Sequence, residues 1–91
     1  MGYDIIYSKR VLEEDFLALP QTIRSRVRRA VDSRLATNPK AIGKALSHEF
    51  KGYFRIRVSD YRVIYRINYS KHTVTITAMG HRKDIYERSP E

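Results

Sequence analysis

Apolar and polar residues follow two different periods along this chain, and the change of period divides it in half. The opening run "YDIIY" (3–7) is β-branched and aromatic, which predicts a first strand. Ser8 can then cap a helix running to Leu19, with Leu12, Phe16 and Leu19 on one stripe at i, i+4, i+7. Pro20 ends that helix or opens the next one. Ile23, Val27, Ala30, Val31 and Leu35 form a second helical stripe, and "NPK" at 38–40 stops it, because a residue before proline avoids the α region. Residues 40–52 have no clean period and read as a loop holding a short turn of helix. Three alternating runs follow, at 53–58, 61–69 and 72–79, joined by the short connections "SD" and "SK". The order is β-α-α-β-β-β: one α+β domain over residues 1–91, an antiparallel sheet with a helical hairpin on one face.

The pattern also fixes a register. A turn at Ser59-Asp60 sets Val58 opposite Tyr61, Ile56 opposite Val63 and Phe54 opposite Tyr65, three apolar or aromatic pairs. Side chains alternate, so the other face carries Arg57 opposite Arg62 and Arg55 opposite Ile64. A one-residue slip destroys the apolar match. A turn at Ser70-Lys71 continues the apolar face through Ile67–Val74, Tyr65–Ile76 and Val63–Ala78. It sends Thr73, Thr75, Thr77 and Met79 to the arginine face, with Met79 across from Arg62. On this register "GHRK" leaves the sheet with His81 and Arg82 beside Arg57 and Arg62. Arg66 and Lys83 extend the same basic set.

Like charges directly across a ladder repel. Their recurrence in "GYFRIRVSDYRVIYRI" points to an anion that offsets the repulsion, and guanidinium geometry suits phosphate. The alternative is a polar face with its long side chains splayed into water. Composition favours the anion: eighteen Lys and Arg against ten Asp and Glu give a formal charge of +8 on 91 residues, the balance expected of a domain with a polyanionic partner. The absence of cysteine excludes disulfides and thiol catalysis, and the chain carries no apolar run of membrane-spanning length and no signal peptide, so a cytoplasmic setting is expected. His48, His72 and His81 lack metal-ligand spacing, and no metal or cofactor is implied.

The stretches "YFRIRVSDYRVIYRI" and "VTITAMGHRKDIYER" resemble the RelE/ParE superfamily of toxins from type II toxin–antitoxin systems, over essentially the whole chain. The resemblance implies a microbial-RNase-like α+β fold. For the RelE branch it implies an endoribonuclease that enters the ribosomal A site and cuts the mRNA codon there without metal or cofactor. It also implies a RelB-like antitoxin as partner. The family's two basic strand positions fall on Arg55 and Arg57, the arginine of the Y-R signature on Arg62, that of G-H-R on Arg82, and the C-terminal tyrosine on Tyr86. The rival branch, ParE-like, poisons DNA gyrase by binding and cuts no RNA.

Metal-free RNA cleavage uses the 2′-hydroxyl as nucleophile and needs a base, an acid and positive charge at the phosphate. Arg57, Arg62 and Arg82 supply the charge. Tyr86 can stack on a base or assist proton transfer, or else pack on the sheet as a tail residue. Lysines occupy the two strand positions in one well-known version of the pattern. Arginine stays charged at any working pH and is a poor general base, which leaves His81 as a candidate for that role. The arginines at 24–34 either touch ribosomal RNA backbone or form a solvated helix face, and the second reading suits most of them.

Overall fold

Ser8 starts the helical arm as the pattern predicts: in the computed structural model of the chain, which describes residues 2–87, its hydroxyl accepts the Val11 amide at 3.3 Å. The arm follows strand β1 (Asp4–Tyr7) and comprises α1 (9–18) and α2 (21–35), each with a stretch of wider π-type turns, at Val11–Asp15 and Val31–Leu35. Leu19 is extended (ψ 146°) ahead of Pro20, so the break falls where proline requires it. Arg24 locks the hairpin by donating from Nε to the Leu19 carbonyl (3.0 Å) and from Nη2 to that of Leu17 (2.8 Å). Its charge therefore serves the end of α1, where unpaired carbonyls favour a cation. No helix among the described residues is long and apolar enough to cross a membrane.

The irregular segment resolves into a one-turn helix α3 (Pro39–Ile42), a two-residue strand β2 (Lys44–Ala45) and a 3₁₀ turn at His48–Phe50. Strands β3 (Phe54–Val58), β4 (Tyr61–Asn68) and β5 (Thr73–His81) follow, in a sheet of order β1-β5-β4-β3-β2. Every adjacent pair is antiparallel except β1 and β5, which run parallel and close one edge of an otherwise antiparallel sheet. The α+β order expected from the sequence is observed, with the helices on one sheet face.

The first hairpin has the expected register throughout: Val58–Tyr61, Arg57–Arg62, Ile56–Val63, Arg55–Ile64 and Phe54–Tyr65. The second begins as expected, with Ile67–Val74 and Tyr65–Ile76, and then shifts by one residue. Thr77 is the additional residue of a bulge in β5, and its hydroxyl donates to the Ile64 carbonyl at 3.4 Å. Beyond it Ala78 pairs with Ile64, Met79 with Val63 and Gly80 with Arg62. Two expected pairings are thereby corrected. Val63 faces Met79 rather than Ala78, and Met79 enters the core instead of lying across from Arg62.

The main core lies between sheet and helices and is built on Val11, Leu19, Val27, Val31, Leu35, Val63, Tyr65, Val74, Ile76 and Met79. A satellite cluster of Phe50, Ile64, Ala78 and Ile85 covers the middle of the opposite face. The bulge makes this second cluster possible, because it turns Ala78 outward beside Ile64. Asp15 is 7% exposed, and its Oδ2 accepts the Met79 amide at 3.1 Å, tying α1 to the bulged end of β5.

Candidate active site

Four arginines and a tyrosine meet at one end of the sheet's outer face. Arg57 and Arg62 stand directly opposite each other in the ladder, and Arg55 lies one pair further along the same face, beside Ile64. The guanidinium of Arg62 is held below the usual arginine range, first by burial and then by the like charges of Arg57, Arg55 and Arg82, with Tyr86 acting the other way. These charges all act on Arg62, so the cations form one electrostatic group at this end of the sheet. Gly80 pairs with Arg62 from β5, so no side chain crowds the guanidinium from that strand.

The β3–β4 turn organises the cluster. Ser59 takes a left-handed conformation (φ 58°) and closes the two-residue connection. Its carbonyl accepts Arg62 Nη1 at 3.3 Å, and the Tyr61 carbonyl accepts the same nitrogen at 3.0 Å. The Asp60 carbonyl accepts the Arg82 amide at 2.8 Å, which fixes the backbone of the residue after β5 to this turn. Asp60 Oδ1 is 3.6 Å from Arg82 Nε, with both side chains more than half exposed. An exposed pair at that distance contributes little stability and leaves the guanidinium available to a stronger anion.

Tyr86 belongs to a single 3₁₀ turn (Ile85–Glu87) anchored by the buried Ile85. Its ring meets that of Phe50 edge-on, with centroids 5.7 Å apart, and 41% of the residue remains exposed. Phe50 thus acts as a platform that holds an accessible phenol beside the arginines. Nothing in the aperiodic segment 40–52 marked Phe50 for this role; one apolar side chain carries no period.

Three other candidates lie elsewhere. His81 pairs with Tyr61, its ring edge-on to the tyrosine at 5.2 Å, on the face that carries Tyr61 and Val63 toward the helices. Its Nδ1 accepts the Lys83 amide at 3.2 Å. The sequence expectation that His81 emerges beside Arg57 and Arg62 is corrected: the bulge at Thr77 advances the phase of β5 by one residue, which sends Gly80, not His81, to the arginine face. Lys83 is exposed in the following turn and is not among the charges acting on Arg62. Arg66 shares the sheet face of Arg62 but lies on the far side of the Ile64 cluster, in a separate cleft with Ser8, Arg10, Thr75 and Thr77.

The resulting surface, the basin of the outer sheet face, is rich in guanidinium groups, whose chemistry suits phosphate, and has an aromatic ring at its rim. Comparisons with known proteins show which family the chain and its fold resemble. The family model described as the ParE toxin of the type II toxin–antitoxin system parDE matches residues 5–86. Toxin RelG of Mycobacterium tuberculosis is 38% identical over 74 residues, covering 81% of this chain and 85% of that protein. Toxin RelE of the same organism is 33% identical over 76 residues, covering 84% and 78%. The crystal structure of the M. tuberculosis toxin–antitoxin complex RelBE2 contains a chain that superposes with a TM-score of 0.83 at 30% identity, covering 90% of this chain and all of that one.

Proposed function

We infer that this chain, which belongs to the ParE toxin family of type II toxin–antitoxin systems within the RelE/ParE superfamily, is an endoribonuclease that enters the ribosome and cuts mRNA in the A site. The observation that carries this reading is the pairing of Arg57 with Arg62 across the β3–β4 ladder, with Arg82 tied by its amide to the turn that joins those strands. The 2′-hydroxyl of the substrate gives its proton to a base as its oxygen attacks the adjacent phosphorus, the bond to the 5′-oxygen breaks as that oxygen takes up a proton, and a 2′,3′-cyclic phosphate remains. Negative charge grows on the phosphoryl oxygens during attack, and guanidinium groups already fixed around that position stabilise it without reorganising. Arg62 and Arg57 reach the phosphate from the two facing strands, and Arg82 from the turn after β5. Tyr86, with its ring supported by Phe50, stacks on a base beside the cut or donates a proton to the leaving oxygen.

RelB-type antitoxins are the partners of the RelE proteins in the solved complexes, and we assign a partner of the same kind to this chain. The gyrase-directed reading draws its support from the family model, which is described by its ParE members. One experiment separates the two. The chain is added to a translation extract with a defined mRNA and the 3′ ends are mapped. Cuts within codons that require ribosomes, and that Arg62→Ala and Arg82→Ala suppress, support the ribonuclease. Intact mRNA together with trapped gyrase–DNA complexes would transfer the assignment to the other branch.

A further inference from the structure

The outer sheet face carries a second cleft at the end away from the basin, where β4 turns into β5. Strand alternation builds it. Arg66 pairs with Thr75 and Asn68 with Thr73, while Ile6 of β1 meets Thr75 from the other side, so these side chains share one face. With Tyr69 and Lys71 of the turn they line a hollow of about 520 Å³. Arg66 and Thr75 also line a smaller hollow of about 150 Å³, which Ser8 and Arg10 close from the start of α1. Asn68 Oδ1 accepts the Lys71 amide at 3.0 Å, which fixes the turn, and the Lys40 ammonium lies 5.9 Å from the centre of the Tyr69 ring. Arg66 is not among the charges acting on Arg62, so this is a site separate from the basin.

The two hollows differ in chemistry, and the difference describes a ligand. The small one offers guanidinium groups from two elements, beside two hydroxyls. Arg66 makes no ion pair or hydrogen bond among the described residues, and no carboxylate lines either hollow. Ser8 Oγ accepts the Val11 amide, so its own proton remains to be donated, and the Thr75 hydroxyl has no partner among the described residues. Guanidinium and hydroxyl donors without a competing acid suit a phosphate group. The large hollow adds Ile6 and Tyr69, both about half exposed, as an aliphatic wall and a ring on which a flat base can pack. Its volume lies within the range of small-ligand sites, roughly 300–1,000 Å³. An acidic peptide fits less well, because such a segment takes its hold from a row of apolar anchors, and this face sets its apolar side chains among arginine, asparagine and threonine.

We propose that this cleft is a second ligand site, for a nucleoside phosphate: Arg10, Arg66, Ser8 and Thr75 hold the phosphate, and Ile6 and Tyr69 pack on the base. It stands apart from the ribonuclease reading, since no step of that reaction uses these residues. A free nucleotide and one nucleotide of an RNA strand present the same chemistry, and the experiment separates them. The purified chain is titrated with adenosine 5′-monophosphate, inorganic phosphate, adenosine and a short single-stranded RNA, and amide NMR shifts are followed. Arg62→Gln/Arg82→Gln is the background, so that the basin neither binds nor cuts. The monophosphate should shift the amides of Arg10, Arg66, Tyr69 and Thr75 saturably, and inorganic phosphate all of these but Tyr69. Adenosine should bind at least tenfold more weakly than the monophosphate, and Arg66→Gln should weaken the monophosphate by as much, the scale of one charge-assisted hydrogen bond. Tyr69→Ala should weaken the monophosphate and leave inorganic phosphate unchanged, which separates a lost contact from a lost fold. RNA that binds within tenfold of the monophosphate assigns the cleft to free nucleotides; RNA that binds more than tenfold tighter, through Arg66, assigns it to a strand. No saturable shift at these amides up to about 10 mM monophosphate overturns the proposal, and so does binding indifferent to Arg66→Gln. A glutamate-rich peptide that shifts the same amides more strongly than the monophosphate gives the cleft to an acidic protein partner and refutes it.

Discussion

Arg57 and Arg62 should repel each other measurably in the folded protein, and their coupling tests whether the basin is a focused site or a solvated fringe. The perturbation is Arg57→Gln, Arg62→Gln and the double variant, which remove the charge and keep a shorter polar side chain. Like charges directly across an antiparallel ladder cost roughly 0.2–1 kcal/mol. Two unit charges about 6 Å apart in water repel by about 0.7 kcal/mol, in the same range. Arg62 also donates to the Ser59 and Tyr61 carbonyls, so a single substitution loses contacts as well as repulsion and its net sign is not diagnostic. The cycle removes that ambiguity: Arg62→Gln should be more favourable with Arg57 present than with Gln at 57, by about 0.5 kcal/mol. For a domain of this size that difference is roughly 2–4 °C in thermal midpoint. The coupling should fade between about 0.1 and 1 M salt, as the screening length falls from about 10 to 3 Å. Either substitution should meanwhile lower cleavage by roughly 10²–10³, the usual cost of one donor to a developing oxyanion. The assay is thermal and urea denaturation of the four proteins at low and high salt, beside cleavage in the translation extract. A coupling of zero or of attractive sign at low salt would mean that the two side chains diverge, and the phosphate site would fall with it.

Three further outcomes follow from the packing around the basin. Gly43→Ala should lose about 2–4 kcal/mol in urea denaturation, because the added methyl would overlap the Tyr65 hydroxyl and lie 2.8 Å from its Cζ, displacing the bond from that hydroxyl to the Pro39 carbonyl at 2.7 Å. Burial, and then the charge of Tyr69, push the Tyr65 phenol from 10.0 to about 12. The unfolded chain therefore ionises first, and stability present below pH 10 should decline by at most about 1.4 kcal/mol per unit up to pH 12; Tyr65→Phe should flatten that decline in alkaline melts. His81→Gln should leave ribosome-dependent cleavage within about threefold of wild type, since the imidazole sits against Tyr61 on the other sheet face; a loss of 10² or more, the scale of general acid–base catalysis, would return it to the reaction.

The first hairpin was legible in full because Phe54 to Val58 and Tyr61 to Val63 alternate strictly, and a slip by one would have buried arginines. The same alternation led the second hairpin astray at one place. Thr75-Ile76-Thr77 alternates cleanly, but Ala78 and Met79 are both apolar, so the sequence fits either phase once Thr77 is passed over by a bulge. Only the competition between two cores settles it: Met79 fills the helix side against Val63, while the smaller Ala78 fits under Phe50 and Ile85. That single phase change decides the composition of the site. It places Gly80 rather than a side chain opposite Arg62, turns His81 toward Tyr61, and brings Arg82 out at the Ser59–Asp60 turn, where the Asp60 carbonyl holds its amide. The parallel pairing of β1 with β5 was hidden for another reason, since the two strands are some seventy residues apart and neither one's pattern names its partner. The arginines were readable because each lies on a regular strand or directly after one. Phe50, Gly43 and Asp15 were not, because each acts through one contact made across the fold, and a single contact leaves no period in the chain. A ribonuclease reading built on the sequence alone accordingly names the cations found at this end of the sheet and holds His81 as a candidate proton acceptor. Tyr86, held edge-on by Phe50 beside the arginines, is the remaining candidate, so the rate of cleavage by Tyr86→Phe is where the missing proton transfer should first be sought.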